Sequence, residues 1–338
     1  MAVLSATCAT LAAAIAAAQP GDVVDLPLQP ARCGYVRLNR IRKDPPGVLV
    51  RIHPQQRVGL HITNSSGIAF QGGHLEGAAS APDGRHGQSG IYVTASSNLA
   101  FRGATFGHPD SGTMVGAFIM NSSDIEIADS TFAWARADGI QARDSERLRF
   151  IDNTFTSNGA VHSTCTYPDG RVVVMLNGAR CTREGGVWRD GTHPDAIQIY
   201  SNVQDVLVAR NRLSGWFQGI GWHGPGGERG IRRVWVVDNE VRTIYTWGIR
   251  MPAEGSLVRG NRIGWPEGET HPEGWGTVIG GPPAVLCENV RLRGGGFAPW
   301  NADYSGPCPS VLPPLPAPPR WVPESVRGAT AQSLPDML

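Results

Sequence analysis

Short segments in which apolar and polar residues alternate recur along the chain, and they share one eight-residue pattern. Seven clear copies begin at Ile68, Leu99, Ile125, Leu148, Val206, Val234 and Ser256. They start 31, 26, 23, 58, 28 and 22 residues apart, and a weaker copy follows near residues 285–292. Alternation of this kind is typical of a β-strand. A second short strand, centred on an isoleucine in most copies, precedes the pattern, as at Ile140 and Ile197.

The sixth position of the pattern is asparagine in four copies, and a serine takes it in a fifth. These residues are Asn153, Asn211, Asn239, Asn261 and Ser130. Asparagine tolerates left-handed backbone, and stacked asparagine side chains can hydrogen-bond from one coil to the next. One repeat holding two or three short strands cannot bury its apolar side chains alone, so stacking must supply the core. We therefore predict an all-β protein, a right-handed parallel β-helix solenoid of about eight coils. A β-sandwich would not explain the recurring asparagine.

The beginning of the chain resembles the N-terminal cap of pectin-lyase-like β-helix proteins. Residues 3–18 form an amphipathic helical pattern, followed by a turn at residues 19–22 and the apolar strand Val23–Leu26. With the repeats, the resemblance covers about residues 3–295 and implies a β-helix with an N-terminal capping helix. This superfamily contains lyases, hydrolases, epimerases and viral tailspikes, so the resemblance indicates the fold and leaves the reaction open.

Three regions follow from these patterns. Residues 1–28 are the predicted cap, and residues 29–308 are the predicted β-helix, with an insertion at about 156–192 that accounts for the 58-residue spacing. Residues 309–338 form a proline-rich tail, whose composition predicts polyproline II, as a free tail or as a strap along the rod.

Charge and composition exclude several classes of protein. The 338 residues contain 30 Lys plus Arg against 29 Asp plus Glu, and a nucleic-acid-binding protein usually has a basic surplus. Only 17% of residues are charged and 43 are glycine, which argues against helical bundles. The apolar run Ala9–Ala18 is too short to span a bilayer and lacks a basic flank. We expect no nucleic acid, no membrane insertion and no recognisable signal peptide.

The six cysteines fall into three neighbouring pairs: Cys8 and Cys33, Cys165 and Cys181, Cys287 and Cys308. No C-x-x-C motif occurs, so a zinc or thioredoxin-like site has no support. Three local disulfides and six buried thiols both remain open. Disulfides would indicate a protein that works outside a reducing cytosol, either extracellular or assembled on a virus particle.

Asp138 and Asp195 occupy equivalent positions in consecutive recognised coils, two residues before the isoleucine. If these coils stack directly, the two carboxyl groups lie about 5 Å apart, and one pKa must rise, as an acid catalyst requires. The alternative role is to cap the turn that enters each strand. If instead the insertion adds a coil, for example through residues 171–176, the separation becomes about 10 Å.

The order of motifs resembles that of polygalacturonases. The matching segments are Ala137-Asp138-Gly139, Pro194-Asp195, Trp222-His223-Gly224 and Ile249-Arg250-Met251. The resemblance implies that Asp138, Asp195, His223 and Arg250 are catalytic. His223 would orient substrate or transfer a proton, and Arg250 would neutralise an acidic sugar. Pro194 stands where the family has its proton donor, so the resemblance does not supply that residue.

Further residues are predicted to contact substrate because they share these columns or lie in the insertion. They are Gln141, Gln198, Tyr200, Trp247, Asp190 and Glu184. Either of the last two is a candidate for the missing acid. Among the tryptophans, Trp216, Trp247 and Trp265 are the better candidates for sugar contact, with core packing as the alternative for each, while Trp222 is predicted to point inward.

We therefore predict a protein that binds a polysaccharide or surface glycan and cleaves it, most simply as a glycoside hydrolase without a cofactor. One alternative is a virion-associated spike that recognises a glycan without cleaving it. A polysaccharide lyase, for which the resemblance implies calcium, is the other. The resemblance to tailspikes also implies a homotrimer.

Overall fold

The computed structural model describes most of the chain as β-strands. The described residues are 1–77, 88–158, 162–174, 178–189, 191, 194–222, 229–245, 247–268, 277–281, 283–299 and 302–320. Within them, three long parallel sheets run side by side, and the chain visits them in a fixed order.

The first sheet contains ten strands of the described chain. They are Tyr35–Asn39, the second part of Val48–Thr63, Ser89–Thr94, Val115–Met120, Ile140–Arg143, Asp195–Tyr200, Gln218–Gly221, Trp247–Arg250, Thr277–Gly280 and Gly295–Ala298. The β-helix is therefore longer than the predicted eight coils. The prediction fell short because the first and last coils do not follow the eight-residue pattern.

The second and third sheets complete each coil. The second contains Val3–Ser5, Val23–Leu26, the first parts of Val48–Thr63 and Ser66–Leu75, then Ser97–Arg102, Ser123–Ala128, Glu146–Ile151, Gln204–Ala209, Arg232–Val237, Leu257–Arg259 and Val285–Cys287. The third contains the ends of Val48–Thr63 and Ser66–Leu75 that pair at residues 57–58 and 74–75, then Thr105–Phe106, Thr131–Phe132, Thr154–Thr156, Arg212–Trp216, Glu240–Thr243, Arg262–Gly264 and Val290–Arg291. All these pairings are parallel, so the predicted parallel β-helix is confirmed.

Two ladders of identical side chains hold the coils in register. Inside the helix, the rings of Phe106, Phe132 and Phe155 stack with centroids 4.1 and 4.5 Å apart. At the turn after the second sheet, Asn153 donates its backbone N–H and its side-chain amide to Asn211 Oδ1, at 2.9 and 3.0 Å. The same bonds continue through Asn239 and Asn261 to Asn289, so the predicted asparagine ladder exists and is one residue longer.

The N-terminal helix is shorter than the pattern predicts. Helix α1 spans Leu11–Ala17 and buries Leu11 and Ile15 against the first coils. Val3–Ser5 is a strand that pairs with Val23–Leu26, because backbone pairing with the first coil outweighs helix propensity at this position. The prediction of a helix from residue 3 was therefore wrong at its start.

The insertion forms a small separate unit. Thr164–Thr166 pairs antiparallel with both Val172–Val174 and Val187–Arg189, and helix α2 spans Gly178–Arg183. The insertion does not add a coil, since Ile140–Arg143 pairs directly with Asp195–Tyr200.

All six cysteines form the three local disulfides, Cys8–Cys33, Cys165–Cys181 and Cys287–Cys308. After the last of them, the tail returns along the second sheet. Leu312 packs on a cluster that includes Trp235. Further on, Ala317 N–H donates to Asp205 Oδ1 at 3.2 Å, and Arg320 N–H donates to Asp124 Oδ1 at 2.8 Å. The described part of the tail is therefore a strap. Among the described helices, neither is long and apolar enough to cross a membrane.

Candidate functional site

The outward face of the first sheet presents side chains in columns along the rod. The residues that follow the inward-pointing position form one column: Arg37, His61, Tyr92, Phe118, Gln141, Gln198, Gly221, Arg250, Gly280 and Ala298. A parallel column contains Asn39, Thr63, Thr94, Met120, Arg143 and Tyr200. Neither column, as far as the structure describes it, contains a carboxylate. We call this face the first-sheet groove.

Asp138 and Asp195 lie in directly adjacent coils: Asp138 lies two residues before the strand Ile140–Arg143, and Asp195 is the first residue of the strand Asp195–Tyr200. Gly139 N–H donates to the backbone oxygen of Asp195 at 2.9 Å. The Asp195 N–H donates to Asp138 Oδ1 at 2.8 Å. The coils therefore stack at the closer of the two predicted separations, and the 10 Å alternative is wrong. We call these two residues the Asp pair.

Each member of the Asp pair is hydrogen-bonded to a glutamine three residues later. Gln141 Nε2 donates to Asp138 Oδ2. Gln198 Nε2 donates to Asp195 Oδ2 at 2.8 Å. Both glutamines are half-buried and belong to the outward column, so they lie between the carboxyl groups and the first-sheet groove. In the next coil Gln218 replaces the aspartate and Gly221 replaces the glutamine, so the aspartate–glutamine hydrogen bond is not repeated there.

The environment of Asp195 favours its protonated form. Burial raises the pKa of the Asp195 carboxyl well above its usual value, and the neighbouring Asp138 charge raises it further, against a lowering effect of the Gln198 hydrogen bond. Asp195 Oδ1 is buried without a hydrogen-bond partner in the described chain, and so is Oε1 of Gln218, the residue opposite it in the next coil. Two acceptor atoms left unpaired in this way favour a proton on the Asp195 carboxyl.

The Asp pair lies beneath the groove instead of lining it. Asp138 is 5% exposed and Asp195 is 2% exposed. The inward and outward sides do not alternate strictly here, because the chain turns the corner from the third sheet into the first. At this corner a Cβ on Gly139 would contact the Phe155 ring at 2.9 Å, so Gly139 also faces the interior. Contact between the carboxyl groups and a substrate therefore requires Gln141 or Gln198 to move aside.

Arg250 lies two coils from Gln198 in the same outward column. Its guanidinium lies 4.6 Å from the ring centre of Trp222 and 4.8 Å from that of Trp247. Cation–π contact with two indoles orients the positive charge beside half-exposed apolar surface of Trp247. Trp222 is buried, as its predicted inward position requires, but its contact with Arg250 was not foreseen.

The other predicted residues differ in where they lie: one is near the first-sheet groove, two fall outside the described residues and one is in the core. Tyr200 is half-buried next to Arg143, whose guanidinium lies 6.0 Å from the tyrosine ring centre. His223 and Asp190 lie outside the described residues. Trp216 is fully buried, so of its two predicted roles the structure confirms core packing and excludes sugar contact: at the corner into the first sheet it fills the interior.

Glu184 lies at the end of α2, within the insertion. Its carboxylate accepts hydrogen bonds from Arg180 Nε at 2.8 Å and the Tyr167 hydroxyl at 2.7 Å. These two partners lower the pKa of Glu184. A general acid needs a raised pKa, so this environment does not favour Glu184 as the missing proton donor, and its contact with substrate stays a prediction. His162, another residue of the insertion, is half-buried near the Phe217 ring. This burial lowers the pKa of His162 to about 4.

A lyase of this fold would imply a calcium site, which needs several grouped carboxylates. In the residues that the structure describes, no three His, Cys, Asp or Glu side chains are grouped to hold a metal ion. The described residues of the groove do not fit such a site.

Residues 50–214 match the protein family described as the right handed beta helix region. The chain is a right-handed parallel β-helix. This β-helix is similar to the crystal structure of an alginate lyase from Paenibacillus sp. str. FPU-7, with 13% identity, 88% of this chain and 97% of that chain covered, and a TM-score of 0.52. No curated protein matches the sequence.

Two further crystal structures are similar to this β-helix. The Dettilon tailspike protein has 12% identity, with 88% of this chain and 63% of that chain covered and a TM-score of 0.46. A pectate lyase from Bacillus sp. N165 in complex with trigalacturonate has 13% identity, with 96% and 90% covered and a TM-score of 0.37. At these identities the likeness concerns the fold.

Proposed function

We propose that this β-helix binds an acidic polysaccharide in its first-sheet groove and hydrolyses it at the Asp pair. One observation carries the proposal: two carboxyl groups in adjacent coils, one with a strongly raised pKa, lie directly beneath the outward glutamines. Two carboxyl groups with different protonation states are the chemical requirement of glycoside hydrolysis.

In this proposal Asp195 is the acid. Its protonated carboxyl transfers a proton to the glycosidic oxygen once the substrate displaces the Gln198 amide. Asp138, whose oxygens accept hydrogen bonds from the Asp195 N–H and Gln141, remains the charged partner. It acts as a base toward water or as the nucleophile.

The charge of the groove supports an acidic substrate. Arg37, Arg143 and Arg250 lie in the two outward columns, and those columns contain no described carboxylate. Arg143 also forms an ion pair with Asp144, the residue that follows it, at 2.8 Å. Six arginines of the second sheet and its turns likewise form ion pairs with a carboxylate: Arg51–Asp25, Arg102–Glu126, Arg147–Asp124, Arg210–Asp152, Arg233–Asp205 and Arg259–Glu288. Arg250, oriented by Trp222 and Trp247, is the proposed contact for a sugar carboxylate.

Glycan binding without cleavage is the second candidate, as in a virion-associated spike. The observation that favours it is burial, since Asp195 is only 2% exposed. In either case the three disulfides support an extracellular or virion-associated location, outside a reducing cytosol.

The test is depolymerisation of a panel of acidic and neutral bacterial polysaccharides, followed by product length and ultraviolet absorbance. We expect shortened acidic chains without new absorbance, lost in Asp195→Asn and retained in the surface control Asp110→Asn, whose side chain is 78% exposed. New absorbance from unsaturated uronates would contradict hydrolysis and favour a lyase. Binding of a polymer that is never shortened would favour the spike.

A further inference from the structure

A polar trough lies on the outer face of the third sheet, away from the first-sheet groove. Its volume is about 550 Å³, which is within the size range of small-ligand sites. It crosses the strands Thr154–Thr156, Arg212–Trp216 and Glu240–Thr243, between the root of the insertion at Ser157 and residues 266–267. We call it the third-sheet trough.

The trough offers hydrogen-bonding groups that remain open to a ligand. Ser157 and Ser214 supply hydroxyl groups, and Asn158 supplies an amide. Ser214 is exposed on the outward side of its strand. Arg212 is also exposed and makes no ion pair with a described residue, unlike the six matched arginines of the second sheet and its turns. Hydroxyl, amide and guanidinium groups together are suited to the hydroxyl and carboxylate groups of a sugar.

One wall of the trough is held rigid by an ion pair. Arg242 Nε donates to Glu240 Oε1 at 2.7 Å, and a terminal nitrogen of the same guanidinium donates to the Trp265 backbone oxygen at 3.1 Å. This pairing lowers the pKa of Glu240, which stays ionised. Groups that are already oriented lose little conformational freedom when a ligand binds.

The floor of the trough depends on a glycine. The pairing between the two strands shifts register between Ser214 and Trp216, and Gly215 there has a φ of 78°. A Cβ on Gly215 would overlap Ser157 Oγ. Glycine at this position therefore leaves room for the Ser157 hydroxyl against the backbone of the neighbouring strand.

The trough lies on the same coils as the Asp pair. The chain passes from Asp138 through Ile140–Arg143 to Thr154–Thr156, and from Asp195 to Arg212–Trp216. Three adjacent strands span two coil steps, about 10 Å along the rod. The third sheet precedes the first sheet along each coil, so the trough and the Asp pair lie on either side of the corner at which the chain turns from one sheet into the other.

We infer that the third-sheet trough is a second carbohydrate-binding site, which holds a short segment of the polysaccharide bound in the groove. The identity of that polymer rests on the proposed function. The site itself rests on the geometry of the trough. Arg242 and Arg262 pair with the two carboxylates of the lining, Glu240 and Glu267. Arg212 is therefore the guanidinium left to contact a sugar carboxylate, while the serine and asparagine groups bind hydroxyls.

The test measures binding stoichiometry by calorimetry on the full chain carrying Asp195→Asn, which prevents cleavage. The probes are hexasaccharides of polygalacturonate and of alginate, with cellohexaose as the neutral comparison. We expect two sites for an acidic hexasaccharide. Ser214→Trp, which fills the trough from an exposed position, removes one of them, and Arg212→Ala weakens the same site about tenfold.

The matched control is Thr105→Trp, at a half-buried outward position of the third sheet two coils before Thr154. It keeps both sites, and unchanged thermal unfolding shows that each tryptophan variant is folded. Unchanged binding by Ser214→Trp, or no binding of any probe, overturns the inference. Arg250→Ala tests the groove separately: if Ser214→Trp removes a site while Arg250→Ala changes nothing, the trough stands and the proposed groove function fails.

Discussion

Replacing Asp195 by asparagine is expected to stabilise the protein at neutral pH although it removes cleavage. The Asp195 carboxyl is buried, and burial together with the Asp138 charge raises its pKa well above the usual value. An asparagine at this position has no charge to desolvate. Its amide can donate toward Gln218 Oε1, which lacks a partner in the described chain. It also keeps an oxygen for Gln198.

The pH dependence follows from proton linkage. Below the ordinary aspartate pKa of about 3.9, the carboxyl is protonated in both the folded and the unfolded chain, and the wild type has no penalty. Above that value the unfolded chain releases the proton while the folded chain keeps it. The free energy of unfolding therefore falls by up to about 1.4 kcal/mol per pH unit until the raised pKa is reached. The asparagine variant lacks this decline.

The assay is urea unfolding of the wild type and the variant between pH 4 and pH 8. We expect the difference in unfolding free energy to be close to zero near pH 4 and to grow in favour of Asp195→Asn as pH rises. Asp110→Asn, at the 78% exposed carboxylate, supplies the baseline for charge removal at the surface. A pH-independent difference, or a variant that is less stable at pH 7, would refute the protonated, buried acid.

Three other predictions concern the scaffold. Asn211→Ala leaves several buried groups of the asparagine ladder without partners, so we expect a loss of about 3–5 kcal/mol in urea unfolding, against almost none for the exposed Asn39→Ala. Ala317→Pro removes one N–H donated to a carboxylate by the strap and should lower stability by about 1 kcal/mol. A loss above about 3 kcal/mol would contradict a purely local effect and mean that the substitution also breaks the Arg320 hydrogen bond and the Leu312 contact. Cys165→Ser with Cys181→Ser opens the insertion, which we expect to be cleaved faster by trypsin while the melting temperature of the β-helix changes little. A large drop in that temperature would contradict the separate unit.

Much of the fold was predictable because each coil repeats the same local environment. Alternation identified the strands, and the asparagine at one repeated position identified the turn at which coils are linked, as Asn153 and Asn211 show. The end of the ladder at Asn289 was missed because the copy around it is weak. The start of α1 was missed because Val3–Ser5 pairs with a strand that lies 20 residues later.

The candidate site was predictable only in part. The column alignment brought Asp138 and Asp195 together, and their glutamines were in the predicted substrate set. The hydrogen bonds from Gln141 to Asp138 and from Gln198 to Asp195 were not predicted. A contact between side chains three residues apart cannot be inferred from the alternation of apolar and polar residues. The hydrogen bond between Arg180 and Glu184 was not predicted either, since it depends on the helix that the insertion forms.

The amino-acid sequence by itself determined the coil, its period and the stacking of equivalent residues, because these depend on local alternation repeated along the chain. Only the tertiary structure decided how deeply the Asp pair is buried and whether the insertion adds a coil between Asp138 and Asp195. Both depend on which surfaces meet where the chain turns from the third sheet into the first. At that corner Phe155 and Gly139 pack together, strict alternation ends, and Asp195 is withdrawn from solvent.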